Sequence, residues 1–306
     1  MKTIGVLKVS DHSYVFGGCF NEFDVAKMKE KSPSAVTLLC QDEEPRIPLA
    51  GARITLVWDA DPEKAKGFAS ILGGKVVDSP TAMMGEVDAI LLAETSGDGC
   101  DHASLALPYI QAGIPIFVDK PFSNNLPDAR KMVEAAEKAG GPLMSSSLLR
   151  YVKAVEELKA ASEELGEIRH VVACGPGDTL VYGVHTCEYM LAVSGPGVEW
   201  VQNLGHQDMD LAFLKFSDNK TAIMQIFRNA PADFNITVYG SKAIRSASSP
   251  FLSYRYGAAS MMQELARMID TGRPPIPYAS TLEILKILLA TGTSLAEGKA
   301  IRLSQL

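Results

Sequence analysis

No apolar run in these 306 residues reaches the ~18 needed to cross a bilayer. The first strand-like stretch is broken by Lys8 and Asp11, so no signal-peptide core is expected there. The five cysteines, Cys19, Cys40, Cys100, Cys174 and Cys187, are odd in number and scattered, with no close pair of the kind that makes a disulfide framework or a zinc motif. They read as reduced thiols in a cytoplasmic protein. No block of lysine or arginine stands out, and 29 basic against 36 acidic residues leave a net charge of −7. Nucleic acid and anionic membranes are therefore not the expected partners. A small-molecule substrate is. Also missing is a glycine-rich turn after the first strand, where Lys8-Val9-Ser10-Asp11-His12-Ser13 stands instead.

What is present is an alternation of buried-type runs with helical patterns. Ile4–Val9, Arg53–Trp58, Val76-Val77, Val87–Ala93, 114–118 and Leu143–Ser147 read as strands, with helices predicted at 63–72, 101–112 and 127–139. Strands separated by helices imply right-handed crossovers and a doubly wound parallel sheet of the Rossmann type. The rhythm changes after a helix at 151–164. Ile168–Cys174, Val198–Gly205, Asp210–Phe216, Thr221–Phe227 and Phe234–Tyr239 are strands joined by short turns, Ser217-Asp218-Asn219-Lys220 being a hairpin turn. The expected architecture is α/β: a dinucleotide-binding domain over 1–147, then an α+β domain over 148–306 with a mostly antiparallel open sheet. In Asp210–Phe216 both alternating faces are largely apolar, although a sheet with one wet face should alternate more cleanly. Helices at 185–193, 258–270 and 281–296 can cover one face. The other is assigned to a subunit contact in a homodimer or homotetramer; the alternative is a sheet sandwiched between helices of its own chain.

Lys120 follows the strand at 114–118 in Asp119-Lys120-Pro121, at the carboxyl end where open parallel sheets bind ligands. It is either a catalytic cation or an ordinary lysine before a proline turn. His185 opens a helix and is either a functional imidazole or one satisfied by backbone. Asp59 ends the second strand and Asp61 precedes Pro62, which suits Asp61 to a helix cap.

Taken together the chain resembles the Gfo/Idh/MocA family of nicotinamide-dependent oxidoreductases over almost its whole length. The carrying segments are Asp59-Ala60-Asp61-Pro62-Glu63-Lys64-Ala65, Val87–Ala93 with His102 beyond it, Asp119-Lys120-Pro121 in place of Glu-Lys-Pro, Gly183-Val184-His185, Thr271–Pro275 and Ser294–Lys299. The resemblance implies an NAD-dependent dehydrogenase acting on a hydroxyl-bearing carbon of a sugar, polyol or sugar-derived acid. In it Lys120 stabilises the developing alkoxide and His185 accepts the hydroxyl proton. Asp59 would take the ribose hydroxyls, favouring NAD over NADP, and Ser10, Ser13, Thr95, Ser96 and Lys120 would line the cofactor.

Besides Asp119, the sequence departs from the family at four further places. Lys8 stands for the first glycine, the segment from Cys19 to Leu49 is longer than one crossover, Glu94-Thr95-Ser96 replaces Thr-Pro-Asn, and Val181 replaces an acidic residue four positions before His185. Tyr182 or Glu188 could stand in for that acid at the substrate, and His12 could add a substrate contact. These departures keep open a binding or regulatory protein of the same fold without turnover. Metal-assisted hydrolysis through His12, Asp11, His102 and His185 lacks ligand spacing on a common helix, and no metal is expected.

Overall fold

The computed structural model describes residues 1–40, 49, 51–94, 97–231 and 233–306. They form two compact units, one of Met1–Ser123, Pro127–Ser146 and Ala258–Tyr278, the other of Asn124–Leu126, Ser147–Gly257 and Ala279–Leu306.

In the first unit β1 (Lys2–Leu7) is followed by three short helices, α1 (Asp11–Gly17), α2 (Val25–Lys31) and α3 (Pro33–Leu39). Then come β2 (Ala52–Trp58), α4 (Pro62–Leu72), β3 (Lys75–Val76), β4 (Ala89–Leu92), α5 (His102–Gln111), β5 (Ile116–Val118), α6 (Leu126–Ala139) and β6 (Leu143–Met144). The six strands are all parallel, in the order β3-β2-β1-β4-β5-β6. That order reverses between β1 and β4, which makes their carboxyl ends the topological switch point. Ile4, Val6, Ile90, Leu91, Phe117 and Val118 are fully buried in the strands, as expected for a sheet covered on both sides.

Local chemistry sets the boundaries. Asp61 caps α4 by accepting the Glu63 N–H at 2.9 Å, Pro62 supplies a helix-ready first position, and the helix stops at Gly73 with φ of 80°. Its buried face is Ala65, Phe68, Ile71 and Leu72, the spacing of one helical stripe. The longer first crossover is explained by α1, α2 and α3 standing where one helix would be usual. Asn21, between α1 and α2, donates to the Ile54 and Leu72 carbonyls at 3.1 and 2.8 Å and accepts the Ile54 N–H at 2.9 Å. It thereby satisfies β2 next to the irregularity in its pairing with β1.

The second unit contains α7 (Lys153–Ala160), α8 (Ser162–Leu165), β7 (Ile168–Pro176), α9 (Gly183–Ser194), β8 (Val198–Asn203), β9 (Met209–Phe216), β10 (Thr221–Phe227), β11 (Phe234–Gly240) and β12 (Ile244–Ser249). After α10 (Tyr254–Thr271) and α11 (Tyr278–Glu297), β13 (Ile301–Arg302) closes the sheet, whose order is β12-β11-β7-β10-β9-β8-β13. Only β7 and β10 pair in parallel; the other pairs are antiparallel. The turn at 217–220 forms with Asn219 at φ of 69° and Asp218 accepting the Lys220 N–H.

Several details differ from the sequence reading. The 151–164 helix is divided into a 3-10 turn at Leu148–Tyr151, α7 and α8. The strand β12 is additional. Most of α10, expected against the second sheet, counts with the first unit from Ala258 onward.

One face of the second sheet is wholly buried, Val171, Ala173, Ala212, Leu214, Ala222, Met224 and Ile226 among its residues. Opposite, Val172, Leu211, Phe213 and Ile223 are half-buried. The helix α11 is the one described helix long and apolar enough to cross a membrane by length and composition. It nonetheless serves this sheet: Glu283 accepts the N–H groups of Gly197 and Val198, both at 2.7 Å, and Ser294 accepts that of Asn203 at 2.8 Å.

Candidate active site

The carboxyl end of β1 leads into Lys8, whose φ of 65° is the left-handed conformation that a glycine would adopt without cost. The turn is thus kept although the residue differs. The lysine side chain is drawn to Glu94, at 2.8 Å, and to Asp101. Burial works against its charge, and the two carboxylates outweigh it, raising its pKa above the ordinary lysine value.

Ser10 and Ser13, expected to line the cofactor, use their single hydroxyl protons within the fold. Ser10 gives its proton to the Ala93 carbonyl at 3.0 Å and Ser13 to the Ser10 carbonyl at 2.6 Å, while Ser13 also accepts the Ser10 N–H. Both stabilise the start of α1, and toward any further group they can only accept. Thr95 and Ser96 lie outside the described residues.

Asp59 is fixed from two sides: one oxygen accepts the Val9 N–H and the other that of Asp61, both at 2.7 Å. A carboxylate has about four acceptor positions, so each oxygen keeps one lone pair for a further donor.

At the end of β5, Asp119 is fully buried and Lys120 is only 4% exposed. One Asp119 oxygen accepts the Lys120 backbone N–H at 2.8 Å. The other meets Nδ1 of His12 at 2.7 Å. His12 sits in the first turn of α1, so this contact ties the loop after β1 to the end of β5. The neighbouring Phe16 ring lies 5.0 Å from the imidazole.

Elsewhere in this unit, His102 is buried with Nδ1 at 3.3 Å from the Phe122 carbonyl, and its Nε2 is buried without a partner among the described residues. Asp11 accepts the Ser32 hydroxyl at 2.7 Å. Among the described residues no three His, Cys, Asp or Glu side chains converge on a point where a metal could sit.

In the second unit His185 lies in the first turn of α9, 8% exposed, with Nδ1 at 2.6 Å from the Ser147 hydroxyl. Ser147 also accepts the Leu149 N–H at 3.1 Å. The rings of Tyr182 and Phe234 flank the imidazole at 5.4 and 5.9 Å, both edge-on. Tyr182 is 42% exposed and open to solvent. Glu188 is buried and ion-paired with Arg150. Its carboxylate therefore holds the chain at Leu148–Tyr151 against α9 instead of standing open for a substrate. Burial alone would lower the Arg150 pKa; the adjacent Glu188 charge overcomes this and raises it. The place of the family's acid is taken by Val181, whose N–H is held by Asp178 at 2.7 Å.

The loop before α9 is fastened by a group that the sequence reading did not single out. Arg228 pairs with the fully buried Asp210 at 2.9 Å and donates to the Gly177 carbonyl and the Thr179 hydroxyl, each at 3.2 Å. Thr179 and Asn203 also donate to Asp210, at 2.6 and 2.8 Å. The sequence signals were an aspartate at the start of one strand pattern and an arginine just past the end of the next.

Comparison with known proteins bears out the resemblance. Residues 24–147 match the sequence model of the GFO_IDH_MocA family, an oxidoreductase family with an NAD-binding Rossmann fold. Inositol 2-dehydrogenase of Paracoccus denitrificans is 30% identical over 174 residues, 49% of this chain and 51% of that protein. D-apiose dehydrogenase of Paraburkholderia graminis is 32% identical over 111 residues, 36% of this chain and 30% of that protein. The matched region thus spans between 30% and 51% of these relatives' own length. In fold the likeness extends over nearly the whole chain. The structure of scyllo-inositol dehydrogenase from Lactobacillus casei with bound NAD(H) and scyllo-inositol superposes with a TM-score of 0.80 over 99% of both chains, at 14% identity. A probable dehydrogenase from Thermotoga maritima gives 0.79 over 99% of this chain and 100% of that one, at 18% identity.

Proposed function

With residues 24–147 matching the Gfo/Idh/MocA oxidoreductases, we propose that the chain is a dehydrogenase using NAD to oxidise a hydroxyl-bearing carbon of a sugar, a polyol or a sugar-derived acid. The observation that carries the reading is the buried Lys120 at the carboxyl end of β5, on a Rossmann sheet whose switch point is one strand away. Two features of the chain fit a dinucleotide. The turn after β1 keeps the glycine-type backbone at Lys8, and Asp59 is held with acceptor capacity to spare.

A bound oxidised nicotinamide would supply the hydride acceptor. Lys120, as an ammonium, donates to the substrate oxygen and stabilises the negative charge that grows there as the carbon–hydrogen bond breaks. His185, its ring fixed by Ser147, hydrogen-bonds the substrate, and Tyr182 offers a further contact. Asp59 accepts from the ribose hydroxyls and repels a 2′-phosphate, so NAD is preferred over NADP. The half-buried apolar face of the second sheet supports assembly into a homodimer or homotetramer.

Titration with NADH, read from Trp58 fluorescence or by calorimetry, tests the reading. Binding is expected, with NADPH at least about tenfold weaker. Lys120→Ala should then remove oxidation of an identified polyol while leaving NADH affinity within a few-fold. No NADH binding at millimolar concentration would refute the proposal. Full turnover by Lys120→Ala would remove Lys120 from the chemistry.

A further inference from the structure

Two of the places where this chain departs from the family pattern touch each other. His12 belongs to the altered loop after β1, and Asp119 takes the position of the signature's glutamate. They are 107 residues apart in sequence and 2.7 Å apart in space.

The contact fixes the Nδ1 end of the imidazole. An ionised carboxylate can only accept, so Nδ1 of His12 carries the proton and donates it to Asp119. The Nε2 lone pair then points away from the carboxylate. The side chain keeps 19% of its surface exposed, and Nε2 has no hydrogen-bond partner among the described residues. Asp119 has 1% of its side-chain surface exposed and a second oxygen bound to the Lys120 N–H, so it cannot swing away without losing both bonds. This is the arrangement in which a buried carboxylate orients a histidine and offsets the charge it gains on taking a proton.

We propose that His12 and Asp119 form an acid–base dyad, His12 taking the proton of the substrate hydroxyl through Nε2. The inference rests on the dehydrogenase reading and deepens it. In the oxidation the O–H bond breaks, its proton passes to Nε2 and its electron pair becomes the second carbon–oxygen bond. A bound oxidised nicotinamide would accept the hydrogen on that carbon with its electron pair. Reduction runs the same steps backward, with His12 as the acid. Lys120, next in sequence to Asp119, stabilises the oxygen. The substrate class that suits this pair is a neutral carbinol, because the ammonium and the dyad between them supply one charge and one proton acceptor.

Two measurements test the dyad. In protein carrying 15N-labelled histidine, His12 is expected with a protonated Nδ1 and an unprotonated Nε2, its signals identified by their loss in His12→Gln. Saturating NADH should shift the Nε2 resonance. A proton found on Nε2, or no response to NADH bound at saturation, overturns the dyad. In the second, initial rates are measured over a panel of cyclic polyols and aldoses with NAD. His12→Gln and Asp119→Asn should each lower kcat by about 10²-fold or more while NADH affinity stays within about threefold. Unchanged kcat in His12→Gln overturns the proposal. The parent reading fails differently, by absence of NADH binding to the unsubstituted protein.

Discussion

Arg228 sits where a single side chain determines how the loop ahead of His185 is held. It joins β10 to the Gly177 carbonyl and Thr179, and its charge is balanced by an aspartate with no solvent exposure. A buried carboxylate deprived of its cation remains desolvated with nothing to offset it, at a cost of about 3–5 kcal/mol. Thr179 and Asn203 still donate to Asp210 when the guanidinium is gone, so the lower end of that range applies. Arg228→Met is therefore expected to lose about 3 kcal/mol of stability in urea unfolding. Changing Asp210 to Asn at the same time should recover part of this loss, because the charge that needed a partner is removed. An undiminished unfolding midpoint in Arg228→Met would show that the pair does not hold the loop.

Among the elements, α4 tests how much a start signal contributes. Asp61→Ala removes the acceptor for the Glu63 N–H and should cost about 1 kcal/mol in the same assay; a change below a few tenths would mean that water replaces the cap. This helix was legible in the sequence because Asp61-Pro62 marks its start and Ala65, Phe68, Ile71 and Leu72 repeat at helical spacing. β10 was legible for a similar reason, an alternating run after a clear turn, and its bounds agree with the sequence reading. β12 was not. Its sequence, Ile-Arg-Ser-Ala-Ser-Ser, is mostly exposed and polar, and it becomes a strand by pairing with β11 from Tyr239↔Ile244 to Phe234↔Ser249. Helices α1, α2 and α3 escaped notice because each has seven residues, too few for a hydrophobic period to declare itself. The candidate site divides the same way. Lys120 and His185 were visible as motif positions on strand and helix ends. The contacts of His12 with Asp119 and of Ser147 with His185 were not, because they join residues 107 and 38 positions apart whose meeting depends on the sheet order and the helix packing.

For the whole molecule, the second sheet carries the remaining question of assembly. Its exposed side is not a solvated face in composition: Val172, Phe213 and Ile223 are register neighbours across β7, β9 and β10, and Trp200 packs on Phe213 with ring centroids 5.5 Å apart. If this face self-associates as proposed, it gains from apolar burial and is disrupted by a charge placed at its centre. Ile223→Glu is expected to shift the sedimentation profile from dimer or tetramer to monomer without unfolding the chain. His170 stands on the same side, its Nδ1 2.7 Å from the Thr221 hydroxyl and its ring 5.7 Å from that of Tyr239. Burial lowers its pKa below the ordinary 6.5, more than the Thr221 contact raises it. The folded state thus favours the neutral ring. Its contribution is complete above the unfolded value near 6.5 and is lost as pH falls from there toward the lowered one. Closing a second copy over the face would desolvate the ring further, so assembly should weaken on the same side of pH 6.5. His170→Gln, which can still bond Thr221 but cannot take a proton, should make the assembly less sensitive to pH across that window. If the unsubstituted protein sediments as a monomer at every pH, the face has another use; if His170→Gln leaves the pH dependence unchanged, the titrating group lies elsewhere.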